Sequence, residues 1–333
     1  MKALLSHACG GPETLSIAQL PTPRPGPEQL LVRTGCAALN FLDSLIIEDL
    51  YQTRPSRPFS PGCEVSGTVE AVGEAVTDFA PGDRVLAVID YGALAEQVLT
   101  EATRSFRLPD DMPFDIAAAM PVTYGTTIHA LTNRAQLTSG QTLFVMGASS
   151  GVGLAAVQIG KTLGARVVAA VSSADKAEIA TLAGADRTVV YPRTPAEGVA
   201  ARALAASFKD AIGAGGAHIV YDAIGGAYCE PALRAIAWNG TYLVIGFAAG
   251  IPAIPTNLAL LRECRLSGVF WGEAIKRDPG MFQQQFAVLM ALWRGGKIHP
   301  AIGQILPLSG AADGIAMLTQ RSIVGKIVID MAL

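Results

Sequence analysis

Two rhythms of apolar and polar positions divide the chain. Up to about residue 120 the apolar positions come in short runs such as "EQLLVRTGCAAL", "GTVEAVGEAV", "DRVLAVIDYG" and "AEQVLTEA". Pro/Gly punctuation of the "PGPE" and "APGD" kind separates them, which predicts short strands and turns in a compact β-rich domain. From about residue 140 continuous apolar runs alternate with helix-like stretches. "TLFVM" precedes a Gly/Ala-rich helix reaching Leu163, "RVVAAV" precedes "DKAEIATLAG", and "RTVVY" precedes an Ala-rich stretch. "HIVYDAIG" then precedes "EPALRAIAW", read as a helix, and "TYLVIGF" follows. Strand and helix alternating in this way predict an α/β fold, a parallel sheet covered by helices on both faces, because buried parallel strands are apolar throughout. The remainder returns to mixed elements from about residue 265. In "MFQQQFAVLMALW", Phe282, Phe286, Leu289 and Trp293 recur at helical spacing, a stripe expected to pack in a core or interface.

Composition agrees with two folded domains. The 333 residues are 50% hydrophobic and 16% charged, enough apolar surface for large cores. The net charge of −3 comes with no run of Lys and Arg, which argues against a nucleic-acid partner. Cys9, Cys36, Cys63, Cys229 and Cys264 form no CxxC pair, as expected of a reducing compartment. The start "MKALLSHACGG" has no long apolar segment of the secretory kind, so a cytoplasmic location is expected. Residues 142–160, "TLFVMGASSGVGLAAVQIG", carry no charge and have the length of a membrane span. Gly147, Ser149, Ser150, Gly151 and Gly153 interrupt the run, so it reads as strand, turn and helix, with no membrane segment.

That strand–turn–helix is the context of a dinucleotide-binding loop. With the loop's last glycine at Gly153, Ala148 and Ser150 stand where its first two usually fall. Both are small enough for a pyrophosphate to approach the backbone, and the helix start offers free N–H groups and a positive dipole end. An NAD site places an acidic residue at the end of the second strand to hold the ribose 2′-OH. Here "RVVAAV" is followed by Ser172 and Ser173. Asp175 lies inside the next helix start, where capping accounts for it, and Lys176 follows. Hydroxyls and a cation suit a 2′-phosphate, and Tyr191, at the end of the third strand, adds a phenol. The expected cofactor is NADPH.

The motifs "AALNFLDSLI", "PFSPGCEVSGTVEAVGEAVTDFAPGDRV", "GASSGVGLAAVQIGKTLGARVVAAVSSADK", "GAD" before "RTVVY", "YDAIGG" and the closing "GKIVI" together resemble the medium-chain dehydrogenase/reductase superfamily. The resemblance is to its zinc-independent quinone oxidoreductase branch, and it runs over nearly the whole chain. It implies a GroES-like catalytic domain from residues 1–122 and 265–333, a Rossmann domain over 123–264, and a homodimer. By the same resemblance Asn40, Thr126, Ser149, Ser150, Gly151, Val152, Gly153, Gly246, Phe247, Phe270 and Lys326 contact the cofactor, beside Ser172, Ser173, Lys176 and Tyr191. Tyr124 and Trp271 are neighbours of the nicotinamide or substrate. Tyr51 falls where related 2-enoyl thioester reductases carry a proton-donating tyrosine.

Zinc members of the superfamily carry a Cys where this chain has Asn40, and a His where it has Cys63 in "GCE". Around Pro121 to Tyr124 there is no Cys, His or acid. A catalytic zinc needs about three protein ligands, so no metal is expected. Without a Lewis acid, hydride transfer to a quinone or similar electron-poor small molecule is the expected reaction, with Asn40 and Tyr51 as candidate catalytic residues. Reduction of activated C=C bonds is the alternative, and an NADPH-binding structural or regulatory role is a third.

Overall fold

The computed structural model describes residues 1–194, 198–320 and 323–333. The chain folds into two units, one of Met1–Val122, Ile275–Ala287 and Pro300–Leu333, the other of Thr123–Ala274 and Val288–His299. The fold class is the expected one, a β-rich unit and an α/β unit. The expected boundary at residue 265 is corrected, because Arg265–Gly268 pairs in parallel with Ile236–Val244 and so extends the α/β sheet.

The first unit is built on a seven-stranded sheet whose central strand is Gln29–Leu39. Glu64–Val72, Gln97–Glu101 and the closing strand Lys326–Asp330 all pair with it antiparallel. Leu30, Val32, Ala37 and Leu39 are buried in a core shared with Val65, Val69, Val85, Ile327 and Ile329. The central strand stops at Leu39, and Asn40 turns the chain into the helix Phe41–Ile47. The Asn40 N–H donates to Asp43 Oδ2 at 2.7 Å, a carboxylate three residues into the helix reaching back over its start. Asn40, the end of the closing strand nearest Leu39, and Glu64 are thereby brought together, since Ile327 is in register with Leu39 and Ala37 with Val65.

The second unit holds six parallel strands: Thr142–Met146, Arg166–Val171, Arg187–Val190, Ala217–Asp222, Ile236–Val244 and Arg265–Gly268. Numbered along the chain they lie in the order 3-2-1-4-5-6, a doubly wound sheet whose order reverses between the first and fourth strands. The first strand is buried at every position, as its apolar run requires. The sixth escapes the sequence pattern because "RLSG" is short and largely exposed at the sheet edge. The helix expected over "EPALRAIAW" ends at Arg234, and Trp238 lies on the fifth strand, 65% exposed. Among the described residues no helix is long and apolar enough to cross a membrane.

Candidate functional site

The glycine loop stands at the switch point of the doubly wound sheet. Gly147 follows the first strand at φ +71°, and a Cβ there would lie 2.6 Å from Ile224 Cδ1. Ser150 caps the helix Gly151–Thr162: its Oγ accepts from Gly153 N at 3.1 Å, and its hydroxyl donates to Gly147 O at 2.8 Å. Ser150, expected among the cofactor contacts, therefore has its hydroxyl engaged in holding the loop. At Gly153 a Cβ would stand 2.2 Å from Gly147 O and 2.7 Å from Ala148 Cα, so the residue is glycine because the helix start presses on the loop backbone. Gly151 and Val152 occupy the first helical turn, whose N–H groups lack intrahelical acceptors. Ser149 is 8% exposed beside them.

The other expected cofactor residues of this unit follow the carboxyl ends of neighbouring strands. Ser172 and Ser173 come after the second strand, and Ser173 Oγ accepts from Lys176 N at 3.4 Å as the cap of Ala174–Leu182. Lys176 is half-buried. Tyr191, after the third strand, is 6% exposed and packs on Tyr228 with ring centroids 5.1 Å apart, so its ring belongs to the core. Gly246 and Phe247 follow the fifth strand, and Phe247 is 45% exposed. Phe270 follows the sixth and is also exposed. Its neighbour Trp271 is buried, filling the place a Cβ on Gly125 would need. Thr126 is half-buried in a helical turn whose next residue, Thr127, shares a hydrogen bond with the Tyr221 hydroxyl at 2.9 Å.

Asp222, at the end of the fourth strand, is a residue whose role the sequence reading missed. Its Oδ1 accepts from Ile224 N at 2.8 Å and Gly225 N at 3.0 Å, and its Oδ2 from the Tyr242 hydroxyl at 2.6 Å. Burial pushes its carboxyl above the usual range, against the pull of these donors. The carboxylate fixes the turn that carries Ile224, the side chain beside Gly147. The signal was an acid closing an apolar strand before two glycines, "YDAIGG".

In the first unit a buried polar cluster surrounds Asn40. Lys326 is 5% exposed, and its ammonium donates to Leu39 O at 2.7 Å, Asn40 Oδ1 at 2.6 Å and Glu64 Oε1 at 2.5 Å. These account for all three of its N–H bonds, so Lys326, expected at the cofactor, is engaged within its own unit. Asn40 Nδ2 donates to Glu64 Oε1 at 2.7 Å, and Glu64 Oε2 accepts from Val122 N at 2.7 Å. Asp43 is fully buried and accepts from Asn40 N and Gly62 N; burial pushes its carboxyl up to about 7 despite those donors and Lys326. Tyr51 is half-buried, and burial above all pushes its phenol up to about 12. The phenol therefore stays protonated at neutral pH.

These donor sets distinguish two ligands. A catalytic zinc requires about three nitrogen, sulfur or oxygen ligands facing an open position. Here Asn40 and Glu64 both hold an ammonium, a positive charge standing where the donors converge. Burial raises the Cys63 thiol well above its ordinary value and so keeps it protonated. Among the described residues no group of three His, Cys, Asp or Glu could hold a metal ion. The residues do not fit zinc. The glycine loop does fit a dinucleotide: a cradle that a single Cβ would fill, beside open N–H groups at a helix start.

Comparison with known proteins finds two family models along the chain. Residues 26–110 match the family model described as the alcohol dehydrogenase GroES-like domain, and residues 151–291 that described as zinc-binding dehydrogenase. Quinone oxidoreductase-like protein 2 of Mus musculus is 34% identical over 312 residues, 93% of this chain and 87% of that protein. A mycobacterial protein solved in complex with NADPH is similar with a TM-score of 0.92 at 30% identity, covering 99% of this chain and 100% of that one. The Escherichia coli quinone oxidoreductase solved with NADPH is similar with a TM-score of 0.90 at 25% identity, again over 99% and 100%.

Proposed function

Since the chain belongs to the medium-chain dehydrogenase/reductase superfamily, in its quinone oxidoreductase-like branch, we propose that it transfers hydride from NADPH to a quinone or similar electron-poor acceptor without a metal. The observation that carries this reading is the Lys326 ammonium, hydrogen-bonded to both Asn40 and Glu64 where a zinc enzyme would need metal ligands. An acceptor that is already electron-poor needs no Lewis acid. The NADPH-bound relatives support the choice of cofactor.

The bound dinucleotide supplies the hydride; binding and orientation fall to the chain. Ser149, Gly151 and Val152 receive the pyrophosphate on N–H groups at the helix start, and Gly153, whose N–H is taken by the Ser150 cap, lets the loop lie close against the helix. Ser172, Ser173 and Lys176 receive the 2′-phosphate through hydroxyls and a cation. Thr126, Gly246, Phe247 and Phe270 complete the binding surface. The first test is steady-state oxidation of NADPH by a benzoquinone. Turnover supports the reading, and its absence across a panel of quinones and enones would favour a binding role without chemistry.

A second reading, reduction of activated C=C bonds, is favoured by Tyr51. Its phenol is half-buried and makes no hydrogen bond to the described residues, so it is open to donate to a substrate. A reduced alkene needs a proton on carbon, whereas a reduced quinone oxygen takes one from water. Tyr51→Phe is expected to lower enone turnover by about 100-fold while sparing quinone turnover. With the phenol held protonated to about pH 12, the enone rate should show no loss between pH 8 and pH 10 beyond that of the quinone rate. Equal losses on both substrates would assign Tyr51 to the pocket wall.

The homodimer is also proposed. Arg265–Gly268 ends the six-stranded sheet with one edge unpaired among the described residues, and Leu260, Leu261 and Leu266 are exposed nearby in sequence. An open apolar edge is a surface that another strand covers. Leu266→Lys should convert a dimer to a monomer in sedimentation velocity, and a monomeric wild type would exclude the assembly.

A further inference from the structure

Lys326 and Glu64 form a buried ion pair between positions 262 residues apart, and the Asn40 amide lies alongside it, bonded to both charges. The ammonium donates to the Asn40 carbonyl oxygen, and the carboxylate accepts from the Asn40 amide nitrogen. A flipped amide would set NH₂ against the ammonium and C=O against the carboxylate, two repulsive contacts in a site shielded from water. The charges therefore fix which way the amide points. One N–H of Nδ2 is taken by Glu64. The other meets Ala38 O at 3.4 Å, beyond the usual N–H···O range, and Cys63 Sγ at 3.7 Å, a weak acceptor, so it is held only loosely. Asn40 keeps 8% of its surface exposed.

We propose that Lys326 and Glu64 are positioning residues that lock the Asn40 amide, so that its second Nδ2–H donates to the acceptor oxygen that gains charge on hydride transfer. Asn40 is then the catalytic residue, and the ion pair acts through it. The buried ammonium contacts no reactant: all three of its protons are bound within the cluster. The inference rests on the hydride transfer proposed above and adds the device that orients its polar donor. A preset donor aimed at developing charge needs no reorganisation during the reaction.

The test compares four proteins with NADPH and a benzoquinone: wild type, Asn40→Ala, the double variant Lys326→Met/Glu64→Gln, and the triple variant. The double variant removes both charges together and leaves no buried ion unpaired, so it is expected to fold. Thermal melting checks this, and the equally neutral pair Lys326→Gln/Glu64→Gln, which keeps polar partners on both sides of Asn40, serves if it does not. The lock predicts that kcat falls by about 10- to 100-fold in Asn40→Ala and in the double variant, with KM for NADPH unchanged. The triple variant should be no slower than Asn40→Ala, because the pair has nothing left to position. Wild-type kcat in the double variant, losses that multiply in the triple, or a change in KM alone would each overturn the lock. The wild-type rate in the same assay reads the parent function. If it is absent, both proposals fall; if it is present while the variants contradict the lock, only the lock falls.

Discussion

Gly153→Ala is expected to weaken NADPH binding by roughly 10- to 100-fold, matching an overpacking cost of about 1–3 kcal/mol. The added methyl carbon would stand 2.2 Å from Gly147 O and 2.7 Å from Ala148 Cα. Both are backbone atoms of the loop, so no side chain can swing aside. Either the helix Gly151–Thr162 retreats from the loop or the loop opens, and both movements displace the N–H groups offered to the pyrophosphate. Gly215→Ala is the control, since a Cβ there meets nothing within 4 Å. Fluorescence titration of NADPH on the folded variants measures the effect. Unchanged affinity in Gly153→Ala would remove the glycine loop from the cofactor site.

The second large effect is on stability. Glu64→Ala should destabilise the first unit by about 3–5 kcal/mol, because it strands a buried charge. Glu64 has no exposed surface and accepts from Lys326, Asn40 and Val122. Removing the carboxylate leaves the Lys326 ammonium 5% exposed with no counter-charge among its bonded partners, and leaves the Val122 N–H without its acceptor. Thermal or urea unfolding reads the loss, and the paired variant Lys326→Met/Glu64→Gln should recover most of it. A Glu64→Ala protein as stable as wild type would mean the ion pair is already relaxed by water.

The contrast between the two sites explains what could be read from the sequence. The glycine loop is local: strand, turn, cap and helix follow within residues 142–162, and each leaves its own mark on residue choice. The first five parallel strands were legible as short apolar runs, of which the first, second and fourth are buried over nearly their whole length. The sixth strand was not, because its exposed edge position removes the apolar pattern. Trp238 was read into a helix, since its neighbours suit either state and the pairing of Ile236–Val244 with Ala217–Asp222 decides the matter. The Asn40 cluster is the opposite case. Its three main members lie at positions 40, 64 and 326, and only strand register brings them together. Sequence could mark Asn40 and Cys63 as departures from a zinc pattern, but it could not show that Lys326 supplies the cation. Ser150 and Tyr191 carry a related lesson. Both suit a ligand site by residue type, while the structure engages one in the helix cap and packs the other in the core.

The most direct test of the central claim is steady-state reduction of a benzoquinone by wild-type protein after exhaustive treatment with a zinc chelator. NADPH and NADH are compared, and the metal content is read on the same sample. The account predicts full turnover with no stoichiometric zinc, a preference for NADPH, and loss of that preference in Lys176→Ala. Activity that vanishes on chelation and returns with zinc would contradict it, as would a preference for NADH.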